Sequence, residues 1–133
     1  MITLRRTLAA ATVALLLGCK GDGTGPTAGT LKVNLTTPNS GLDGAAVVVL
    51  SAPVAPGSVT PGAGLLLWGG PVTTANATIA LTGTLSAGTI LTLQVDDVNQ
   101  FAQYTATLQQ VAATAAGGFV VRPLAGYSLA VEK

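Results

Sequence analysis

Hydrophobic and polar positions follow three regimes along the 133-residue chain. Residues 8–17 form an apolar run in which Thr12 is the one polar residue, and residues 20–29, KGDGTGPTAG, hold four glycines and one proline. From Thr30 the period becomes two. Leu31, Val33 and Leu35 fall on one side and Lys32, Asn34 and Thr36 on the other, which predicts a half-buried strand. Pro38-Asn39-Ser40-Gly41 breaks it. Residues 45–52, AAVVVLSA, are continuously apolar and rich in β-branched side chains, the composition of a central strand.

Residues 52–64, with three prolines and three glycines, are expected to be loop, either a binding element or an irregular connection. LLLWG at 65–69 predicts a short strand. Residues 76–85 alternate again with Ile79 and Leu81 inward. SAG at 86–88 predicts a tight turn, and the next strand places Leu91, Leu93 and Val95 on one face. DDVNQ, from Asp96 to Gln100, turns the chain. Tyr104, Ala106 and Leu108 alternate, and GFVVRP and GYSLAV supply two last strands. No amphipathic helical period competes; the threonines between residues 103 and 116 weigh against helix there. About seven or eight short strands separated by turn signals predict an all-β, antiparallel β-sandwich. The domains expected are a signal segment at 1–18, Cys19 with a flexible tether to residue 29, and a sandwich over 30–133.

Composition narrows what such a domain does. Only 8% of residues are charged, against about 25% in ordinary soluble domains. The net charge of +1 lacks the basic face that a nucleic-acid partner requires. Between Asp43 and Asp96 no residue is charged, so several strands lack the charges that normally guard sheet edges.

The N-terminus carries Arg5 and Arg6, no acid, and an apolar run too short for a bilayer core, which needs about 20 residues. Such a segment reads as a secretory signal. It ends Leu16-Leu17-Gly18-Cys19, which resembles the lipobox of bacterial lipoproteins. The resemblance implies a diacylglyceryl group on the Cys19 thiol and cleavage of the preceding peptide bond. The other possibility, a buried free cysteine in an uncleaved helix, fits the flanks less well. Two or more acyl chains anchor stably, at about 0.8 kcal/mol per buried CH₂. Lys20 stands where, in that family, aspartate favours inner-membrane retention, so the resemblance implies an outer-membrane destination in the cell envelope. A ten-residue tether spans roughly 17 Å as a random coil, which keeps the domain near the membrane.

Two further resemblances concern the domain. Phe101-Ala102-Gln103-Tyr104-Thr105-Ala106 is similar to the tyrosine corner of immunoglobulin-like sandwiches, although Ala106 replaces the antibody cysteine and Gln100 the usual acid. It implies a buried Tyr104 whose hydroxyl bonds to backbone. GTLKVNLTTPN at 29–39, the Asp43-Gly44-Ala45 stretch, GTLSAGTILTLQVDD at 83–97 and the final Tyr127-bearing strand resemble a group of small bacterial lipoproteins to which no activity is attached. A fainter likeness to cohesin-type modules, which bind other proteins, lies in the strand pattern.

Candidate chemistry is sparse. The chain has no histidine and its one cysteine is Cys19, so no Ser-His-Asp or Cys-His arrangement can be built within it. Lys20 and Lys133 lie at the ends of the mature chain and Lys32 points outward, which leaves no lysine placed as a base for serine. Asp43, Asp96, Asp97 and Glu132 are the candidate carboxylates of the sandwich segment for paired acid–base work. Asp96 and Asp97, adjacent in a turn, read first as local backbone acceptors. With Asn99 they also offer three hard oxygen ligands for calcium, without EF-hand spacing. Trp68 reads as a core tryptophan from its apolar neighbours, and otherwise as a surface aromatic for binding. Together these features predict a lipid-anchored, non-catalytic envelope module without cofactor, attached to the membrane through Cys19 and binding a protein or glycan. The alternative is a structural subunit pairing through uncharged edge strands.

Overall fold

The computed structural model describes residues 25–69 and 71–133. The signal segment and Cys19 lie outside the described residues. Among those described, nine strands form two antiparallel sheets. The first holds β1 (Gly29–Thr36), β3 (Ser58–Pro61), β6 (Gly88–Val95) and β9 (Ser128–Glu132), in the order β3-β6-β1-β9. The second holds β2 (Asp43–Ser51), β4 (Leu65–Trp68), β5 (Asn76–Leu85), β7 (Thr105–Ala115) and β8 (Gly118–Val121), in the order β4-β5-β2-β7-β8. A 3₁₀ helix at Val98–Gln103 leads from β6 into β7. No helix among the described residues is long and apolar enough to cross a membrane. The fold is therefore an all-β antiparallel sandwich.

The alternating positions account for the core. Leu31, Val33 and Leu35 of β1 and Leu91, Leu93 and Val95 of β6 meet Ala46, Val48 and Leu50 of β2, Ile79 and Leu81 of β5, and Leu108 and Val111 of β7 in one buried cluster. Burying a leucine-sized side chain contributes about 1.5–3 kcal/mol. β2 is central, as its continuous apolar run predicts.

Three departures from simple alternation matter. At β1/β6 the register slips beside Val33, and the extra residue, Ile90, is buried with its neighbour Leu91. At β2/β7 Gln109 has no partner, so the inward phase passes from Leu108 to Val111. At the start of β2, Gly44 is the extra residue against β7 and reverses the phase, while against β5 the extra residue lies on β5, between Thr82 and Leu85. Each slip is the two-against-one pairing of a β-bulge.

The loop expected over residues 52–64 is corrected in part. Ser58–Pro61 pairs with Leu91–Gln94 as an edge strand. Val59 is its one large apolar side chain, so it lacks an alternating signal, and Pro61 is tolerated because it closes an edge strand. Gly83 permits the neighbouring turn. Its φ is +130°, and a β-carbon there would lie 2.2 Å from the carbonyl oxygen of Gly64.

Candidate functional site

The two outer faces of the sandwich differ in chemistry. On the four-stranded sheet, polar side chains are satisfied among themselves. Asn34 Nδ2 donates to Glu132 Oε2 at 2.7 Å, Thr89 Oγ1 donates to Asn34 Oδ1 at 2.7 Å, and Thr30 Oγ1 donates to Gln94 Oε1 at 3.3 Å. Lys32 projects from the same face, opposite Glu132 in the register.

The five-stranded sheet presents no charged side chain on its outer face. The outward positions are Leu66 and Trp68 on β4, Thr78, Ala80 and Thr82 on β5, Ala45, Val47 and Val49 on β2, Gln110 and Ala112 on β7, and Phe119 and Val121 on β8. The small side chains at Ala45, Ala80 and Ala112 leave a shallow, almost wholly apolar groove, bordered by Thr82 and Gln110. Trp68 is not in the core. It is 55% exposed, which corrects the expectation drawn from its apolar neighbours. Alternation explains the difference: Leu65 points inward, and Leu66 and Trp68 fall on the outer side. The Trp68 indole Nε1 donates to Thr82 Oγ1 at 2.7 Å, which fixes the ring on the sheet beside the groove.

A second cluster closes one end of the sandwich. Asp43 is 3% exposed and is the one buried charged residue among those described. The Gly44 bulge turns it inward. A β-carbon at residue 44 would lie 2.0 Å from Thr114 Oγ1 and 3.1 Å from the Phe119 ring, so any side chain there would have to displace Thr114. Arg122, just after β8, donates through Nε to Asp43 Oδ1 and forms an ion pair with it. Tyr127, just before β9, donates its hydroxyl proton to Asp43 Oδ2 at 2.5 Å and accepts from Asn39 Nδ2 at 2.8 Å. Asp43 belongs to one sheet and Tyr127 leads into the other, so the cluster clasps the two sheets together. Asn39, Asp43, Gly44 and Tyr127 all come from the stretches quoted for the resemblance to small lipoproteins. A single carboxylate matched by arginine offers no acid–base pair.

The remaining candidates are spread out. Asp97 Oδ1 accepts from the backbone N–H of Asn99 at 3.0 Å and of Thr27 at 3.2 Å, capping the 3₁₀ helix and pinning the end of the tether. Asn99 Oδ1 accepts from Lys133 Nζ at 3.5 Å, and that ammonium stands 5.0 Å from the Phe101 ring centre. No group of three His, Cys, Asp or Glu side chains suited to a metal occurs among the described residues. Tyr104 is buried at 4% exposure, as the corner motif implies, but its hydroxyl makes no hydrogen bond to a described residue. Burial, and then the charges of Asp96 and Asp97, push its pKa up. Glu132 lies on the polar face, where it accepts from Asn34.

Phe119, Val120 and Val121 of the edge strand β8 are all more than half exposed, and sequence reasoning had singled out none of them. Their signal was present in GFVV, an uncharged strand at the end of a hairpin. Compared with known proteins, the chain matches no family model, no curated protein and no solved structure.

Proposed function

We propose that the chain is a lipid-anchored, non-catalytic module of the bacterial cell envelope, tethered through an acylated Cys19 and binding a partner on the outer face of its five-stranded sheet. The contrast between the two outer faces carries this proposal. One face is polar and self-satisfied; the other is uncharged, with a tryptophan held through its indole N–H beside a groove of small side chains. A neutral ligand loses no charge hydration on such a face. The apolar side of a sugar ring stacks on an indole, while the Thr82 hydroxyl and the Gln110 amide offer hydrogen bonds. A neutral glycan is therefore the favoured ligand, and a protein is the other arm of the test.

Purified full-length chain is measured against isolated cell-wall polysaccharide and, separately, against solubilised envelope proteins. Trp68→Ala should lower affinity for the true ligand by about tenfold or more, as for a buried aromatic anchor. Its unfolding free energy should move by only about 0.5 kcal/mol, the scale for surface changes. Equal binding by wild type and variant would remove the outer face as the site.

Anchoring is tested separately. Cys19→Ser should release the protein from the membrane fraction of a bacterial host or stop its processing, because no thiol remains to be acylated. Undiminished membrane attachment of the serine variant would end that part of the proposal.

A second reading, assembly through edge strands, is favoured by a different observation: β4 and β8 are both uncharged edges.

A further inference from the structure

We infer that β8 is a self-pairing edge, which joins two copies of this chain antiparallel about a two-fold axis through Val120. This rests on the edge-assembly reading and is independent of ligand binding beside Trp68. The sheet edges are not alike. β3 ends in Pro61, which has no N–H to donate. β9 carries Glu132, next to Lys133. Leu67 of β4 shares a cleft with Pro71 and Val72 of the same chain. β8 itself holds no charge or proline, and among the described residues it pairs with β7 on one side only; Arg122, which follows it, is drawn to Asp43.

The hydrogen-bond phase of β8 defines how a partner would pair. Arg122 N–H donates to the Val111 carbonyl at 2.8 Å. Hydrogen-bonded and non-bonded pairs alternate along an antiparallel ladder. The pairs Ala113–Val120 and Ala115–Gly118 are therefore bonded, and Ala112–Val121 and Thr114–Phe119 are not. The N–H and C=O groups of Phe119 and Val121 consequently point away from β7. Among the described residues these groups have no backbone partner.

A second β8 placed antiparallel, with Val120 opposite its own copy, uses all of them. Phe119 of each copy exchanges both backbone bonds with Val121 of the other. Opposite residues then share a face, so Phe119 meets Val121 on the outer side. Sliding either strand by one residue would set outward side chains opposite inward ones. Because the strand is uncharged, no like charges face each other across the axis. Two uncharged outer faces also become one continuous ten-stranded surface. A four-residue strand alone buries far less than the roughly 1,200 Å² of a stable interface. Pairing is therefore expected mainly where anchoring concentrates the chains at a surface.

Val120 and its copy would form a non-bonded pair, about 4.5 Å apart at Cα. That lies within the roughly 4.4–6.8 Å a disulfide needs. Val121 and its copy would be offset along the strand and out of reach. The full chain is expressed in a bacterial host as wild type, Val120→Cys and Val121→Cys, then mildly oxidised in whole cells and run on non-reducing gels. Val120→Cys should form the covalent dimer about tenfold or more faster than Val121→Cys, although the two sites are equally exposed. Val120→Lys, which sets two ammonium groups face to face, should abolish pairing. Equal trapping at both positions, or at neither, overturns this register. If neither traps while wild-type chains still crosslink to one another chemically, assembly stands through another edge. A chain that is monomeric in every assay overturns both.

Discussion

Asp43→Ala should lower the unfolding free energy by about 3 kcal/mol, the lower end of the cost of breaking a buried ion pair. The substitution removes the acceptor for both Arg122 and Tyr127. It leaves a hydroxyl without its acceptor at the end of the sandwich and a guanidinium without its counter-charge. The Arg122 side chain is 29% exposed and can turn toward water, which places the cost at the low end. Tyr127→Phe removes two bonds of the same cluster, the one donated to Asp43 and the one accepted from Asn39, and should cost about 1–3 kcal/mol. Because the two residues share a bond, the double variant should cost less than the sum of the singles. Urea unfolding of the full chain and its three variants reads all of these. A domain of this size has about 5–15 kcal/mol in total, so Asp43→Ala should also reduce the amount of folded protein in the host. If Asp43→Ala melts with wild type, the cluster is not a clasp and Asp43 becomes free to serve a ligand.

Asp43 also shows where the sequence was legible and where it was not. Period-two alternation places Leu31, Val33, Leu35, Ile79, Leu81, Leu91, Leu93 and Val95 correctly, because the β1/β6 slip adds its extra residue at Ile90, just before Leu91, and leaves each of these runs intact. It fails at bulges. Counting back from Leu50, Val48 and Ala46 assigns the inward phase to residue 44 and sends Asp43 to solvent. The bulge at Gly44 inverts this, and its cause is non-local: β7 presses Thr114 against the glycine. The same slip at Gln109 hides the inward role of Val111. β3 was missed because its backbone pairing with β6 leaves almost no side-chain signal. Trp68 was drawn toward the core by its composition, since three leucines before a tryptophan look buried. On a four-residue strand, however, alternate residues still face opposite ways. The asymmetry of the two outer faces was half legible. The charge-free span from Asp43 to Asp96 is in the sequence, but its concentration on one face depends on strand order.

Tyr104 carries the other large expected effect. Tyr104→Ala should cost about 3–5 kcal/mol, the usual loss on deleting a buried aromatic side chain. The ring packs in the core cluster beside the turn that leads from the first sheet into the second. Tyr104→Phe separates packing from hydrogen bonding. A true tyrosine corner would lose about 1 kcal/mol with its hydroxyl bond. Here the hydroxyl has no partner among the described residues, so the phenylalanine variant should match wild type near neutral pH. The two should part at high pH. Burial and the nearby Asp96 and Asp97 charges raise the Tyr104 pKa above the ordinary phenol value of about 10. The folded state thus holds its proton more tightly than the unfolded state. The resulting stability is fully present below about pH 10 and is lost as pH rises through the folded-state value. Wild type should therefore lose stability above about pH 10 faster than Tyr104→Phe does. Denaturant midpoints taken from neutral to strongly alkaline pH measure this difference directly, because every other titrating group is common to both chains. Parallel curves would mean that the phenol is as well hydrated in the fold as out of it. A neutral-pH deficit in the phenylalanine variant would instead restore the hydroxyl bond that the corner motif implies.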